Sequence, residues 1–137
     1  MNVDADHKFV RKYEVTDAAT HDSQVIDKLL DENNRNKDVY ADPAYRGEAI
    51  SDHLEEQGHR DRIHRKTTRG GPLTERDKKA NKKRFKTRVL VEHVFGRQAQ
   101  KLGGKLIRCV GIVRATTAIG LRNLAYNLEH YARLAAA

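Results

Sequence analysis

The chain has 137 residues, of which 38% are hydrophobic and 34% charged, with no tryptophan and a formal net charge of +8. That length suits one domain with a real core, and the lack of any run of about 18 apolar residues excludes a membrane-spanning helix. The charge is uneven: residues 59–108 hold 17 of the 27 Lys and Arg but 4 of the 19 acids, a local +13 against −5 elsewhere, so the middle of the chain reads as a face built for a polyanion.

Residues 1–20 are charged throughout and lack the apolar centre of a signal peptide. Residues 2–16 read as a hairpin. Val3 ends a very short strand, Asp4-Ala5-Asp6-His7 has turn composition, and Phe9 to Val15 is rich in β-formers. Thr20 or Asp22 can cap a helix from about His21 to Glu32, with Val25, Ile26, Leu29 and Leu30 as its apolar face. Asn33-Asn34-Arg35-Asn36 ends that helix. Val39-Tyr40-Ala41 is then a short strand, and Pro43, which has no N–H to give a ladder, stops it at Asp42. Ile50 and Leu54 recur at helical spacing in a helix from about Tyr45 to Gln57, which Gly58 closes at the C′ position.

His59 to His64 reads as a basic edge strand and Lys66 to Pro72 as a loop. Thr74 caps a long helix running to about Phe95, within a basic segment over 74–101. Its first half is almost all charge, and its second half is apolar enough to bury. Gly103-Gly104 breaks the chain, and Leu106 to Val110 is extended. Cys109, the single cysteine, can form no internal disulfide, which fits a reducing cytoplasm. A last helix runs from about Thr116 to Leu134, within 115–135, and Leu121, Leu124, Leu128 and Tyr131 form one apolar stripe on it. Strands and helices in this order imply an α/β chain with a mixed sheet and flanking helices.

Asp42 stands at the carboxyl end of its strand, the edge where ligand and metal sites of open α/β sheets collect. Its plainer role is to open the turn before Pro43. Glu92 lies in the apolar half of the long helix, with Arg88 at i−4 and Phe95 at i+3. Either it makes a weak ion pair with Arg88, or it offers hard carboxylate oxygens to a divalent cation. His53, His59 and His64 show no metal-ligand spacing, and His93 points about 100° away from Glu92 around the helix. Between Arg76 and Lys86 seven of eleven residues are cations. Such a run is either a solvated face or a phosphate-binding one, since phosphate contacts need cations and no base code. Phe85 is placed to stack on an unpaired base.

Two blocks, Tyr40-Ala41-Asp42-Pro43-Ala44-Tyr45-Arg46-Gly47 and Arg88-Val89-Leu90-Val91-Glu92-His93-Val94-Phe95-Gly96, resemble the second and third signature blocks of bacterial insertion-sequence DDE transposases of the insertion-sequence four/five superfamily. Val15 to Asp22 and Gly103 to Arg108 resemble that group as well. The resemblance implies a ribonuclease H-like fold, Mg²⁺ or Mn²⁺ as cofactor, and transposon-end and target DNA as partners. It assigns catalysis to Asp42, Glu92 and Arg88, with Asp42 and Glu92 as metal ligands. DNA contacts then fall to Arg76, Lys78, Lys79, Lys82, Lys83, Arg84, Lys86, Arg88 and Lys101.

The family's helix motif is Tyr, two residues, Arg, three residues, Glu, six residues, Lys. Here Phe85 stands at the Tyr position and Ala99 at the Lys position, with Lys101 out of register. The family's first acid sits on a strand upstream of the hairpin, and Asp4 and Asp6 fall at the hairpin turn, away from Asp42. The resemblance therefore implies residues 1–137 to be the C-terminal part of an incomplete catalytic domain. Such a chain is inactive alone and pairs with an upstream transposase segment or with a second copy. The alternative is a catalytically inactive DNA-binding remnant that interferes with full-length transposase, and a metal-dependent nuclease unrelated to transposition is a more distant one.

Overall fold

A computed structural model describes residues 1–17, 19–33, 37–45, 47–65, 67, 71–103 and 107–136. The chain divides into two compact units. One comprises Met1–Asp31 with Leu90–Ala137, and the other is Glu32–Val89. Among the described residues no helix is long and apolar enough to cross a membrane.

The first unit opens with a hairpin. β1 (Asn2–Val3) pairs antiparallel with β2 (Val10–Lys12). The turn is made by Asp4, whose C=O accepts the Lys8 N–H and whose N–H donates to Phe9. Asp4 Oδ1 also takes the Asp6 N–H at 2.9 Å, so both acids sit in the turn as expected. Lys8 adopts φ 61°, the left-handed conformation that closes the loop.

The expected helix from His21 to Glu32 is much shorter. A 3₁₀ turn over Asp22–Val25 leads into α1 (Ile26–Leu29), and Leu30 is already extended. Its end is captured from β2. The Lys12 ammonium donates to the Leu30 carbonyl, and Arg11 donates to the buried Asp31 carboxylate at 2.9 and 2.8 Å. These tertiary bonds offer the last carbonyls more than another helical turn would.

α3 (Glu75–Lys101) carries the chain from the second unit into the first, and α4 (Ile112–Ala135) completes the first. α3 ends where Gly103 takes φ 93°, and α4 starts four residues before the expected Thr116. Ile107–Val110 precedes it without regular structure, and Gly104, Lys105 and Leu106, where the expected extended segment begins, lie outside the described residues.

The small core here joins Val10, Val94 and Tyr126, with Met1, Val3 and Leu102 packed on it. α4 presents its polar side to the hairpin. Tyr126 donates to the Lys8 carbonyl at 3.2 Å, His130 Nε2 bonds the His7 carbonyl at 2.6 Å, and Asn127 both accepts the Val10 N–H and donates to the Val10 C=O at 2.9 Å. Gly120 allows this approach, because a Cβ there would run into the Tyr13 hydroxyl. The stripe of Leu121, Leu124, Leu128 and Tyr131 is consequently exposed.

The second unit is a β-α-β segment. β3 (Asp38–Val39) and β4 (Arg60–Asp61) pair in parallel, with α2 (Glu48–Glu56) between them in sequence. Hydrogen bonding of β3 stops at Val39, short of the expected Asp42. α2 begins at Glu48 rather than Tyr45, because Pro43–Tyr45 forms a separate 3₁₀ turn. Gly58 ends it as expected. It takes φ 72°, its N–H donates to Glu55 at 2.9 Å, and the next N–H, of His59, reaches back to Leu54 at 2.8 Å. That closure turns the chain straight into β4 and buries Leu54 and Ile63, each worth roughly 2 kcal/mol over the exposed side chain.

The molecule is thus of mixed α/β class. Its strands form two separate two-stranded ladders among the described residues, one antiparallel and one parallel, in place of the single mixed sheet expected. Strands of two or three residues offer too few ladder bonds to recruit further neighbours.

Candidate functional site

Asp42 leaves β3 at its carboxyl end and is held by its own backbone. Its C=O accepts the Tyr45 N–H and its Oδ1 accepts the Ala44 N–H, each at 2.9 Å. It therefore opens the turn, and its second carboxylate oxygen, Oδ2, lies outside that turn.

That oxygen has a partner. Arg88 on α3 donates Nη1 to Asp42 Oδ2 at 3.0 Å, with the Asp42 side chain half exposed and that of Arg88 mostly covered. This contact joins residues of the two signature blocks across 46 positions. The Arg88 guanidinium also lies over the Phe85 ring, 5.4 Å from its centre, and the His64 ring meets Phe85 edge-on at 6.3 Å. Phe85 is still about half exposed. This stacking had a signal in the sequence, since residues i and i+3 are neighbours on a helix.

Glu92 lies one turn beyond Arg88 on α3, exposed, in the unit that begins at Leu90. Among the described residues no cluster of three or more His, Cys, Asp or Glu is placed to hold a metal ion. His59 is buried, and His93 is exposed.

The start of α3 is built to hold charge outward. Thr74 accepts the Asp77 N–H at 3.1 Å and donates to the Asp77 carboxylate at 2.7 Å, the reciprocal cap expected of a helix opening there. Asp77 also receives Arg65 at 2.9 Å. The Thr74 hydroxyl first, and then the Arg65 charge, hold its carboxyl below the usual range. Arg84 turns inward, bonding the Ile63 carbonyl and Asn81. Arg76, Lys78, Lys79, Lys82, Lys83 and Lys86 are all exposed. At about 100° per residue they cover an arc of roughly 160° on the side of α3 away from Asp77, Arg84 and Arg88. Lys78 pairs with Glu75 at 2.7 Å. Among the described residues no ion pair takes up Lys79, Lys82, Lys83 or Lys86.

Lys101 is engaged differently. It shares Glu129 with Arg97, at 3.0 and 2.6 Å, and these two donors, Arg97 first, pull the Glu129 carboxyl down to about 2. One carboxylate thus serves two cations, and Lys101 stays exposed. A further cluster escaped the sequence reading: Asp38 accepts Arg60 at 2.7 Å and Arg62 at 3.3 Å. Parallel pairing of β3 with β4 places these side chains together, and local spacing carries no trace of it.

Residues 1–128 match the family model described as Transposase DDE domain. Over 120 residues the chain is 31% identical to the transposase for insertion sequence element IS1106 from Neisseria meningitidis serogroup B, an alignment that takes in 88% of this chain and 42% of that protein. The chain therefore spans less than half the length of this relative. No solved structure matches it.

Proposed function

This chain belongs to the transposase DDE domain family, and from that premise we propose that it is part of a metal-dependent machine for cutting and joining DNA, built on a ribonuclease H-like fold of the insertion-sequence four/five kind. Asp42 and Glu92 are the second and third acids of the triad, and the outward arc of α3 grips the phosphate backbone.

The observation that carries this reading is the contact between Asp42 and Arg88, which ties the two signature blocks together at the end of β3. It also supports a cation-binding role for Asp42. One oxygen is fixed by the Ala44 N–H, and the other already holds a positive group in a half-exposed position. Carboxylate oxygens are the donors that Mg²⁺ and Mn²⁺ prefer. When bound, such ions activate the attacking oxygen and stabilise the leaving one in phosphoryl transfer. The protein's own part is to orient the Asp42 carboxylate through its turn, to present Glu92 from α3, and to hold DNA by charge. These 137 residues supply two acids of the triad, so alone they do not cleave.

Binding of Fe²⁺ in place of Mg²⁺ tests the assignment without requiring turnover. With ascorbate and peroxide, bound Fe²⁺ is expected to cut the backbone beside residues 42 and 92. Excess Mg²⁺ or Asp42→Asn should suppress both cuts. Cuts confined to histidine-bearing segments, or unaffected by Asp42→Asn, would remove Asp42 from the metal site.

A further inference from the structure

We propose that the uncharged face of α4 is an interface between two copies of this chain, which pair through it as antiparallel helices about a two-fold axis. The interface uses none of the residues assigned above to metal or DNA.

α4 turns its polar side inward. Asn123, Tyr126 and His130 are buried, and Asn127 bonds the Val10 backbone. On the other side Leu121, Leu124, Leu128 and Tyr131 stay 54–64% exposed. At about 100° per residue they lie in an arc of roughly 120° that holds no charged side chain from Thr117 to Ala135. Beside the four large residues, Ala125 and Ala132 leave room for another backbone to approach. Single exposed leucines are ordinary on a protein surface, but a contiguous stripe four turns long marks a contact face.

The stripe fits a second copy of itself. Its spacing of 3, 4 and 3 reads the same in both directions, so a two-fold axis at the level of Tyr126 makes it self-complementary. Leu121 then meets Tyr131 of the partner subunit, and Leu124 meets Leu128 of the partner subunit. At the observed exposures each copy offers roughly 600 Å² and the pair buries about 1,200 Å², the lower end of the range for stable specific interfaces.

Charge and length favour the antiparallel arrangement. Arg114 lies seven residues before Leu121, in line with the stripe. Parallel helices would set the two Arg114 side chains against each other, whereas antiparallel ones hold them about 36 Å apart along the axis. The stripe is also only about two heptads long, and the positions beside it carry Ala118, Ala125 and Ala132 in place of the charges that fix register in a parallel coiled coil.

Sedimentation equilibrium on the 137-residue chain tests the pairing, with reductant present because Cys109 is exposed. The chain is expected to sediment at twice its monomer mass. Leu124→Lys and Leu128→Glu should each weaken self-association by about tenfold or more, since each sets a charge against a leucine at both crossings of the interface. Circular dichroism checks that each variant keeps its helices. An equimolar mixture of the two variants should dimerise again, because one crossing then joins the introduced ammonium to the introduced carboxylate and the other joins Leu128 to Leu124 of the partner subunit. Parallel pairing would bring position 124 against position 124, and mixing would restore nothing. Association indifferent to both substitutions, or no recovery on mixing, would overturn the interface. A monomeric chain would overturn it too, and would leave the stripe to a further segment of a longer transposase. None of these outcomes bears on the assignment of Asp42 and Glu92.

Discussion

At the hairpin, the side-chain amide of Asn127 stands in for a neighbouring strand. It satisfies the N–H and the C=O of the buried Val10 at once, both at 2.9 Å. Buried backbone groups deprived of such partners are costly. Asn127→Ala is expected to lower the unfolding free energy by about 1–3 kcal/mol in urea titration. An unchanged midpoint would mean that water replaces the amide without loss. This arrangement was not legible from spacing, since the two residues are 117 positions apart. The turn that Asp42 opens was legible, because Pro43 marks it in the local sequence. The contact of Asp42 with Arg88 was not legible, since it spans 46 positions and depends on how the segments fold together.

Among the elements, the helix boundaries that rest on local chemistry were readable. Thr74 caps α3 and Gly58 closes α2 through backbone and hydroxyl bonds that involve residues three to five positions away. The extent of α1 was not readable, because cations of β2 capture its final carbonyl and Asp31. α4 shows the same limit. Its leucine stripe is correctly periodic, yet its polar side meets the hairpin, where unpaired backbone groups require hydroxyl, amide and imidazole partners.

The composition of α3 permits a quantitative prediction for DNA. Affinity should be insensitive to sequence and fall by about 0.9 log unit per log unit of salt for each phosphate neutralised. Replacing Lys79, Lys82 and Lys83 with Ala should lower both affinity and slope. Arg84→Ala should change the slope less, because that guanidinium is held inward by the Ile63 carbonyl. A salt-independent affinity would contradict the phosphate-gripping role of this helix.

For the whole molecule, the charge distribution and the family match agree. A basic middle of +13 sits within a chain that matches the Transposase DDE domain over residues 1–128 and spans 42% of its relative's length. The overall class, α/β, followed from the alternation of elements, whereas the division of the strands among the described residues into two ladders did not, because strand partners are chosen by tertiary pairing rather than by local composition. On the proposed assignment of Asp42 and Glu92, activity needs a segment that brings the first acid, since two acids alone cannot place both ions of an in-line displacement.

Nicking of supercoiled plasmid in Mn²⁺ tests this most directly, comparing the 137-residue chain alone with the same chain fused to a family first strand bearing that acid. The account predicts no nicking by the chain alone, nicking by the fusion, and its loss in both Asp42→Asn and Glu92→Gln. Robust cleavage by the unsupplemented chain, lost in Asp4→Asn, would contradict it and move the first acid to the hairpin.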